Sequence, residues 1–187
     1  MSAPWRDLLP TSLEVCGQEY EIRSDYRAVL DICAALSDRE LNDQERQFAM
    51  LDILYPGFEE MAPACFQEAV SKALWFINGG DDPPEAETPR LIDWQQDFKL
   101  IVAPVNRVMG REIRAEDYLH WWTFLAAYYE IGDCLFAQVV RIREKQARGV
   151  SLDKGEQKFY KKNRDIVELK NKYTAQDDAL LGVWLGK

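Results

Sequence analysis

The stretch that decides the fold runs from Asp117 to Glu144 and reads DYLHWWTFLAAYYEIGDCLFAQVVRIRE. It contains the only histidine of the chain and a dense run of large apolar side chains. Four of these side chains recur at helical spacing and are predicted to share one buried stripe: Tyr118, Trp122, Leu125 and Tyr129. Gly132 and Asp133 interrupt the pattern before it resumes. The stretch therefore predicts a helix, a tight corner and a second helix.

Two adjacent tryptophans within this stretch cannot both face the same core. Trp121 and Trp122 are separated by roughly 100° around an α-helix. Because Trp122 shares the stripe, we assign it to the core and assign Trp121 to a partner-binding surface. We assign His120 a structural hydrogen bond at the rim of the core.

Working outward, the helical period recurs along most of the chain after Ser24, which we predict to cap the first helix. The only strand pattern comes before it, where apolar residues alternate on either side of a predicted Gly17–Gln18 turn. We predict a mainly α fold: a single helical domain at residues 1–173, with about seven helices and a small N-terminal β-hairpin. An acidic Pro- and Gly-rich loop is predicted at residues 79–92 and an apolar C-terminal tail at residues 174–187.

Chain length and charge narrow the functional classes. The 187 residues are enough for one domain that buries roughly 70% of its unfolded surface. A net charge of -9 argues against general nucleic-acid binding. Residues 141–172 nevertheless carry eleven Lys and Arg against five Asp and Glu. This basic arm is interpreted as a solvated helix face, with phosphate contacts as the alternative.

Cysteine usage and the absence of export signals predict a cytoplasmic protein. The four cysteines are far apart in sequence and lie among apolar neighbours, so we expect small core residues in a reducing compartment, without disulfides. No basic leader precedes a short apolar run, and no apolar run approaches the ~20 residues of a membrane span.

No catalytic motif stands out. Cysteine and histidine do not occur at metal-ligand spacing, and the glycine-rich loops that bind nucleotide phosphates are missing. Asp117 and His120 have the i, i+3 spacing of an acid–base pair, but a structural histidine is favoured. We therefore expect no enzymatic activity, no cofactor and no metal, with a site built only of carboxylates left open.

The order of several motifs resembles a phage protein family called "gene product fifteen". The resemblance covers Leu13 to Tyr173 and is carried, in order, by LEVCGQEYEI, SDYR, LWFINGG, DWQQDFKLIVAPVNRVMG, HWWTFLAAY and VVRIRE. Its sharpest residues are Asp97, Phe98, His120, Trp121, Trp122, Phe124 and Arg143. The chain departs from the family pattern at Pro104, which is expected to kink or split its helix, and in the apolar end after Leu180.

The resemblance implies a role in phage tail assembly. Such genes lie between those of the tail tube and the tape measure in siphophages of Gram-positive hosts, and their products are similar in role to tail assembly chaperones. It implies a tape measure protein as the main partner, with the tail tube protein as a second candidate, in the host bacterial cytoplasm. Nucleic acid and membrane are not expected partners, and a homo-oligomer is open. The alternatives are a structural tail or connector protein retained in the virion, and a small enzyme.

The contact surface is predicted at the C-terminal end. The basic helix and the apolar tail are expected to bind the partner, while packing of the tail on its own domain is the alternative. The predicted partner-binding residues are Trp121, Arg143, Leu180, Leu181 and Trp184.

Overall fold

The computed structural model describes residues 9–81 and 89–170. Two strands and eight α-helices occur in this part of the chain, which confirms the mainly α prediction with an N-terminal hairpin. The elements are β1 Ser12–Val15, β2 Gln18–Glu21, α1 Tyr26–Leu36, α2 Asp43–Leu54, α3 Phe66–Ile77, α4 Trp94–Met109, α5 Trp121–Tyr129, α6 Leu135–Ala147, α7 Lys154–Lys162 and α8 Arg164–Val167. Short 3₁₀ turns occupy Phe58–Glu60, Pro63–Cys65 and Ile113–Ala115. None of the described helices is long and apolar enough to cross a membrane.

The hairpin turns one residue earlier than predicted. Its register pairs Leu13 with Tyr20 and Val15 with Gln18, so the turn residues are Cys16 and Gly17. Both have positive φ, 52° and 75°, the geometry of a tight hairpin turn that matches strand twist. The predicted Gly17–Gln18 turn was therefore wrong, and Leu13 and Val15 lie together on the buried face.

Local hydrogen bonds define where helices begin. Asn42 and Glu45, which have the sequence spacing of a capping box, form one at the start of α2, and the Asp93 side chain accepts from Gln96 N at the start of α4. The predicted Ser24 cap was wrong, since Asp25 accepts from Arg27 N instead.

Of the two effects expected of Pro104, a split does not occur, because α4 is continuous to Met109. At the corner before α6, the interruption at Gly132 and Asp133 predicts Asp133 as the cap of the next helix. That prediction was wrong, since the capping residue is Cys134, whose Sγ accepts from Ala137 N.

Contacts among residues divide the chain into two compact units. The first comprises Met1–Pro83 with Asp117–Leu125, and the second comprises Pro84–Glu116 with Ala126–Lys187. The sequence prediction of a single domain stays a prediction. Of the regions predicted as an acidic loop and an apolar tail, residues 82–88 and 174–187 lie outside the described residues.

In the first unit, α1 packs against α2, α3 packs against β1, and the segment Asp117–Leu125 returns to the start of α1. Backbone bonds join Tyr26 N to Leu119 O at 2.9 Å and Trp121 N to Ser24 O at 2.8 Å. The rings of Tyr26 and Phe124 then stack with centroids 5.0 Å apart. The returning segment is extended up to His120, which pairs with Asp25 as an isolated bridge, so α5 begins only at Trp121.

In the second unit, α4, α6, α7 and α8 surround a small apolar cluster. Its fully buried members are Val139, Ile142 and Val167, and half-buried residues packed against it include Leu100, Phe159, Tyr160 and Ile166. The basic C-terminal segment was predicted as one helix, but it breaks at Asn163 into α7 and α8. Its apolar side thus packs on its own unit, while Lys154, Lys158, Lys161 and Lys162 are exposed.

The expectation of no disulfide was wrong. Cys16 in the hairpin turn and Cys65 before α3 form a disulfide, with Cα atoms 6.0 Å apart, whereas Cys33 and Cys134 are not disulfide-bonded. The fold brings together two cysteines that are 49 residues apart in sequence. This pairing removes the cysteine argument for a reducing compartment.

The disulfide predicts a simple thiol count. Denatured protein without reductant should show two reactive thiols, and reduced protein should show four. Replacing both Cys16 and Cys65 with Ser should lower the free energy of unfolding by up to ~4 kcal/mol, because the bond restricts a long loop of the unfolded chain. Thiol titration and urea denaturation provide the measurements. Four reactive thiols in non-reduced protein handled without reductant would contradict the pairing.

Candidate functional site

The most conspicuous polar cluster of the second unit is an ion pair between two of the residues that carry the family resemblance. Arg143 Nη1 lies 2.6 Å from Asp97 Oδ2, and Arg143 Nη2 lies 2.9 Å from Asp97 Oδ1. Both side chains are buried, and this fork-to-fork geometry gives two parallel charge-assisted bonds. Asp97 Oδ2 also accepts from Asp93 N at the start of α4.

The remaining donors of Arg143 bind backbone oxygens. Its Nε donates to Val167 O at 2.7 Å, while Nη1 and Nη2 donate to Leu91 O and Ile166 O, each at 2.8 Å. A buried guanidinium with this many internal acceptors cannot engage a partner without breaking them. The prediction of Arg143 as a partner-binding residue was therefore wrong, and Arg143 joins α4, α6 and α8.

Trp121 and Trp122 donate hydrogen bonds to carbonyl oxygens at the C-terminal end of α3. Trp121 Nε1 donates to Ile77 O at 2.7 Å, and Trp122 Nε1 donates to Phe76 O at 2.8 Å. Carbonyl oxygens in the last turn of a helix have no partner within the helix. The Trp121 indole satisfies Ile77 O, and the Trp122 indole adds a second donor to Phe76 O, which also accepts from Gly79 N at 3.1 Å. Trp121 is completely buried, and its assignment to a partner-binding surface was wrong. Trp122 is half-buried and lies against Gly80.

His120 is held by backbone groups on both ring nitrogens. Its Nδ1 accepts from Trp122 N at 3.0 Å, so Nε2 carries the proton and donates to Pro10 O at 2.9 Å. Burial lowers the pKa of His120 below its ordinary value, opposed by the hydrogen bond to Pro10. Neutral His120 has a positioning role at the turn into α5.

The predicted core stripe is rotated by one residue. Tyr118 and Tyr129 are 52% and 56% exposed, so their assignment to the core was wrong. Tyr118 precedes the helix, and its hydroxyl lies 2.8 Å from that of Ser24, while Tyr129 is the last residue of α5. Leu125 is buried. The shift arises because the helix begins at Trp121, which makes Trp121, Phe124 and Leu125 the inward residues.

The other predicted binding residues, Leu180, Leu181 and Trp184, lie outside the described residues. Over residues 9–81 and 89–170, no group of three or more His, Cys, Asp or Glu side chains is arranged to hold a metal ion.

The first unit also carries an exposed aromatic groove that sequence reasoning missed. Phe48 of α2, Phe58 of a 3₁₀ turn and Phe66 of α3 form a triangle with ring centroids 5.0, 5.6 and 6.0 Å apart. Phe48 is 39% exposed, and the other two rings are half-buried. The groove encloses about 550 Å³, and its apolar lining is completed by Ala49, Met61 and Pro63. We call it the phenylalanine groove.

The polar lining of the phenylalanine groove is acidic. Asp52 and Glu59 line it, both are exposed, and no basic residue is among its described lining residues. Phe48 and Asp52 are one turn apart on the outer face of α2, whereas Met50, Leu51 and Leu54 face inward. The available sequence signal is that Phe48 lies off the helical stripe formed by the buried residues Met50, Leu51 and Leu54.

The two tryptophans should differ in their contribution to stability. Trp121→Ala removes a fully buried ring and its bond to Ile77 O, so we expect a loss of ~3–5 kcal/mol in the free energy of unfolding. Trp122→Ala should cost clearly less because the ring is partly in solvent. Chemical denaturation measures both variants. Equal losses would contradict the rotated stripe.

The buried ion pair should behave as a unit. Arg143→Met leaves Asp97 buried without its counterion, and Asp97→Asn leaves Arg143 likewise, so each should lose ~3–5 kcal/mol. The double variant should lose less than the sum of the two single losses. Arg141→Met is the matched control on the same helix, since its ion pair with Asp133 is exposed, and it should change stability little. Additive losses by urea denaturation would argue against coupling.

Comparison with known proteins places the chain in a family. No curated protein and no solved structure gives a significant match to it. A family model described as Bacteriophage Gp15 protein matches residues 5–169, which is most of the chain and includes both the Asp97–Arg143 pair and the two α3-capping tryptophans. The protein therefore belongs to the bacteriophage Gp15 family, a family of phage structural or assembly proteins.

Proposed function

We propose that this protein is a tail assembly chaperone that binds the tape measure protein non-covalently during tail morphogenesis. Membership of the Gp15 family supports a phage structural or assembly role. The observation that favours transient binding is the phenylalanine groove, an exposed apolar surface on an acidic protein. A tape measure protein is a long helical chain with apolar faces, and it must stay soluble until tube subunits assemble around it. An apolar groove on a soluble carrier meets that need.

We further propose that binding involves no catalysis and no cofactor. The acid–base pair considered from the sequence is poorly suited to proton transfer, because both ring nitrogens of His120 already bind backbone groups. No hydrogen bond links the exposed Asp117 to His120. A carrier that releases its client needs only a binding surface of moderate affinity.

The proposed setting is the host bacterial cytoplasm, where the tape measure protein is the principal client and the tail tube protein is a possible second one. Membrane and nucleic acid are not part of the proposal. The net charge of -9 disfavours non-specific binding to nucleic acid phosphates. Self-association into a homo-oligomer is compatible with this role.

Coexpression with the neighbouring tape measure gene tests the proposal. We expect a larger soluble fraction of the tape measure protein when this protein is present, measured by centrifugation and quantitative gel analysis. The protein should be absent from purified particles, because a chaperone leaves before the tail is complete. An insoluble tape measure protein under coexpression would contradict the chaperone role, and retention in particles would favour a structural tail or connector protein.

A truncation locates the contact relative to the C-terminal end. Deleting residues 174–187 should leave a folded protein that still keeps the tape measure soluble if the phenylalanine groove is the contact. A folded truncation that loses this activity would instead place the contact in the apolar tail containing Leu180, Leu181 and Trp184. His120→Gln serves as a second control, and retained activity there agrees with a non-enzymatic role.

A further inference from the structure

We propose that the phenylalanine groove binds one particular class of ligand, an amphipathic helix whose apolar stripe is flanked by Lys and Arg. This inference rests on the proposed chaperone role for its client, but not for the chemistry of the groove. It moves the contact from the basic C-terminal segment, where sequence alone placed it, to an acidic surface of the first unit.

The apolar half of the argument comes from the three rings. Phe48, Phe58 and Phe66 belong to three separate elements, yet their edges and faces meet within one triangle. They pack on one another without being covered, since Phe48 is 39% exposed and the other two are half-buried. Side chains at i, i+3 or i+4 and i+7 of a helix project from one face at the spacing that such grooves accept. Covering the rings removes apolar surface from water.

The charged half of the argument comes from the two carboxylates. Asp52 and Glu59 are exposed and form no ion pair with a described residue. Among described residues, the groove lining contains no cation to oppose an incoming basic side chain. Lys or Arg beside the apolar stripe would therefore meet two unpaired carboxylates, whereas an acidic flank would be repelled. The two carboxylates therefore contribute more to selecting the charge and orientation of the bound helix than to its affinity.

The basic segment of the chain itself offers no comparable surface. The apolar residues of α7 and α8 pack on Val139, Ile142 and Val167 within the second unit. The residues of α7 that face solvent are four lysines together with Gly155 and Gln157, and none of them is a large apolar residue. A lysine face without exposed apolar neighbours attracts charge but does not hold an apolar stripe.

Fluorescence polarisation with two designed peptides tests the inference on the full chain. Both are fluorescein-labelled helices with Leu at i, i+3, i+4 and i+7; one has Lys and the other Glu at the flanking positions. The Lys peptide should bind, and the Glu peptide should bind at least tenfold more weakly. Phe48→Glu should weaken binding of the Lys peptide at least tenfold. Val108→Glu, which replaces an equally exposed (41%) apolar residue outside the groove, should leave binding unchanged.

Charge inversion gives a second and independent readout. The double variant Asp52→Lys with Glu59→Lys should reverse the preference, losing the Lys peptide and gaining the Glu peptide. Both positions are exposed, so the fold should persist, and thermal denaturation checks this. Unchanged binding of the Lys peptide by Phe48→Glu, or an unchanged preference after charge inversion, overturns the inference.

Two further outcomes separate this inference from the proposed function. If groove variants still keep the tape measure protein soluble, the groove is not its contact although the chaperone role stands. If the Lys peptide binds in the groove but the wild-type protein does not solubilise the tape measure protein, the proposed partner is wrong. The proposed ligand class of the groove is then still supported. Sedimentation of wild type and Phe48→Glu detects the remaining case, in which a dimer dissociates on substitution because a second copy covers the groove, and this overturns the proposal.

Discussion

Two indole N–H groups satisfy the backbone oxygens at the end of α3, and the first unit depends on this interaction. Trp121 and Trp122 reach Ile77 O and Phe76 O across 44 and 46 residues of intervening sequence. Without the Trp121 indole, Ile77 O would lose its donor in a buried setting, at a cost of roughly 1–3 kcal/mol. The backbone bonds of Tyr26 N with Leu119 O and of Trp121 N with Ser24 O place the start of α5 at Trp121, beside these indole contacts. Phe124 then stacks on Tyr26, and Leu125 reaches Gly79.

In the second unit, the charged guanidinium of Arg143 satisfies buried backbone oxygens. Arg143 satisfies three backbone oxygens and the Asp97 carboxylate with one guanidinium, a task suited to its planar set of five donors. The residues that carry the family resemblance most sharply are thus those that hold each unit together. A match on such residues establishes family and fold. It says little about the bound partner, which must be sought on exposed surfaces that these residues do not occupy.

Whether a feature could be predicted from the sequence depends on how many residues separate the groups that interact. Helical periodicity and capping boxes are local, so the mainly α class, the hairpin and the Asn42 cap were predictable. The start of α5 was not, because bonds from Tyr26 and Ser24 to the 119–121 backbone hold that segment extended. Because α5 begins about one turn later than the apolar pattern predicts, Trp121 is the fully buried tryptophan in place of Trp122, and Tyr118 is exposed. The disulfide could not be predicted from the sequence either, because Cys16 and Cys65 come together only when β1 packs on α3.

The phenylalanine groove could not be predicted because its three rings come from separate elements. The side of the groove formed by Pro63 and Phe66 is held by contacts between residues distant in sequence. Cys65 stands between Pro63 and Phe66, so its bond to Cys16 ties that side to the hairpin turn. A second link does not depend on redox state: Glu68 Oε1 accepts from Cys16 N at 3.1 Å. A groove held in two ways keeps its ring triangle preorganised, which lowers the entropy lost on binding, and its small exposed area still permits release.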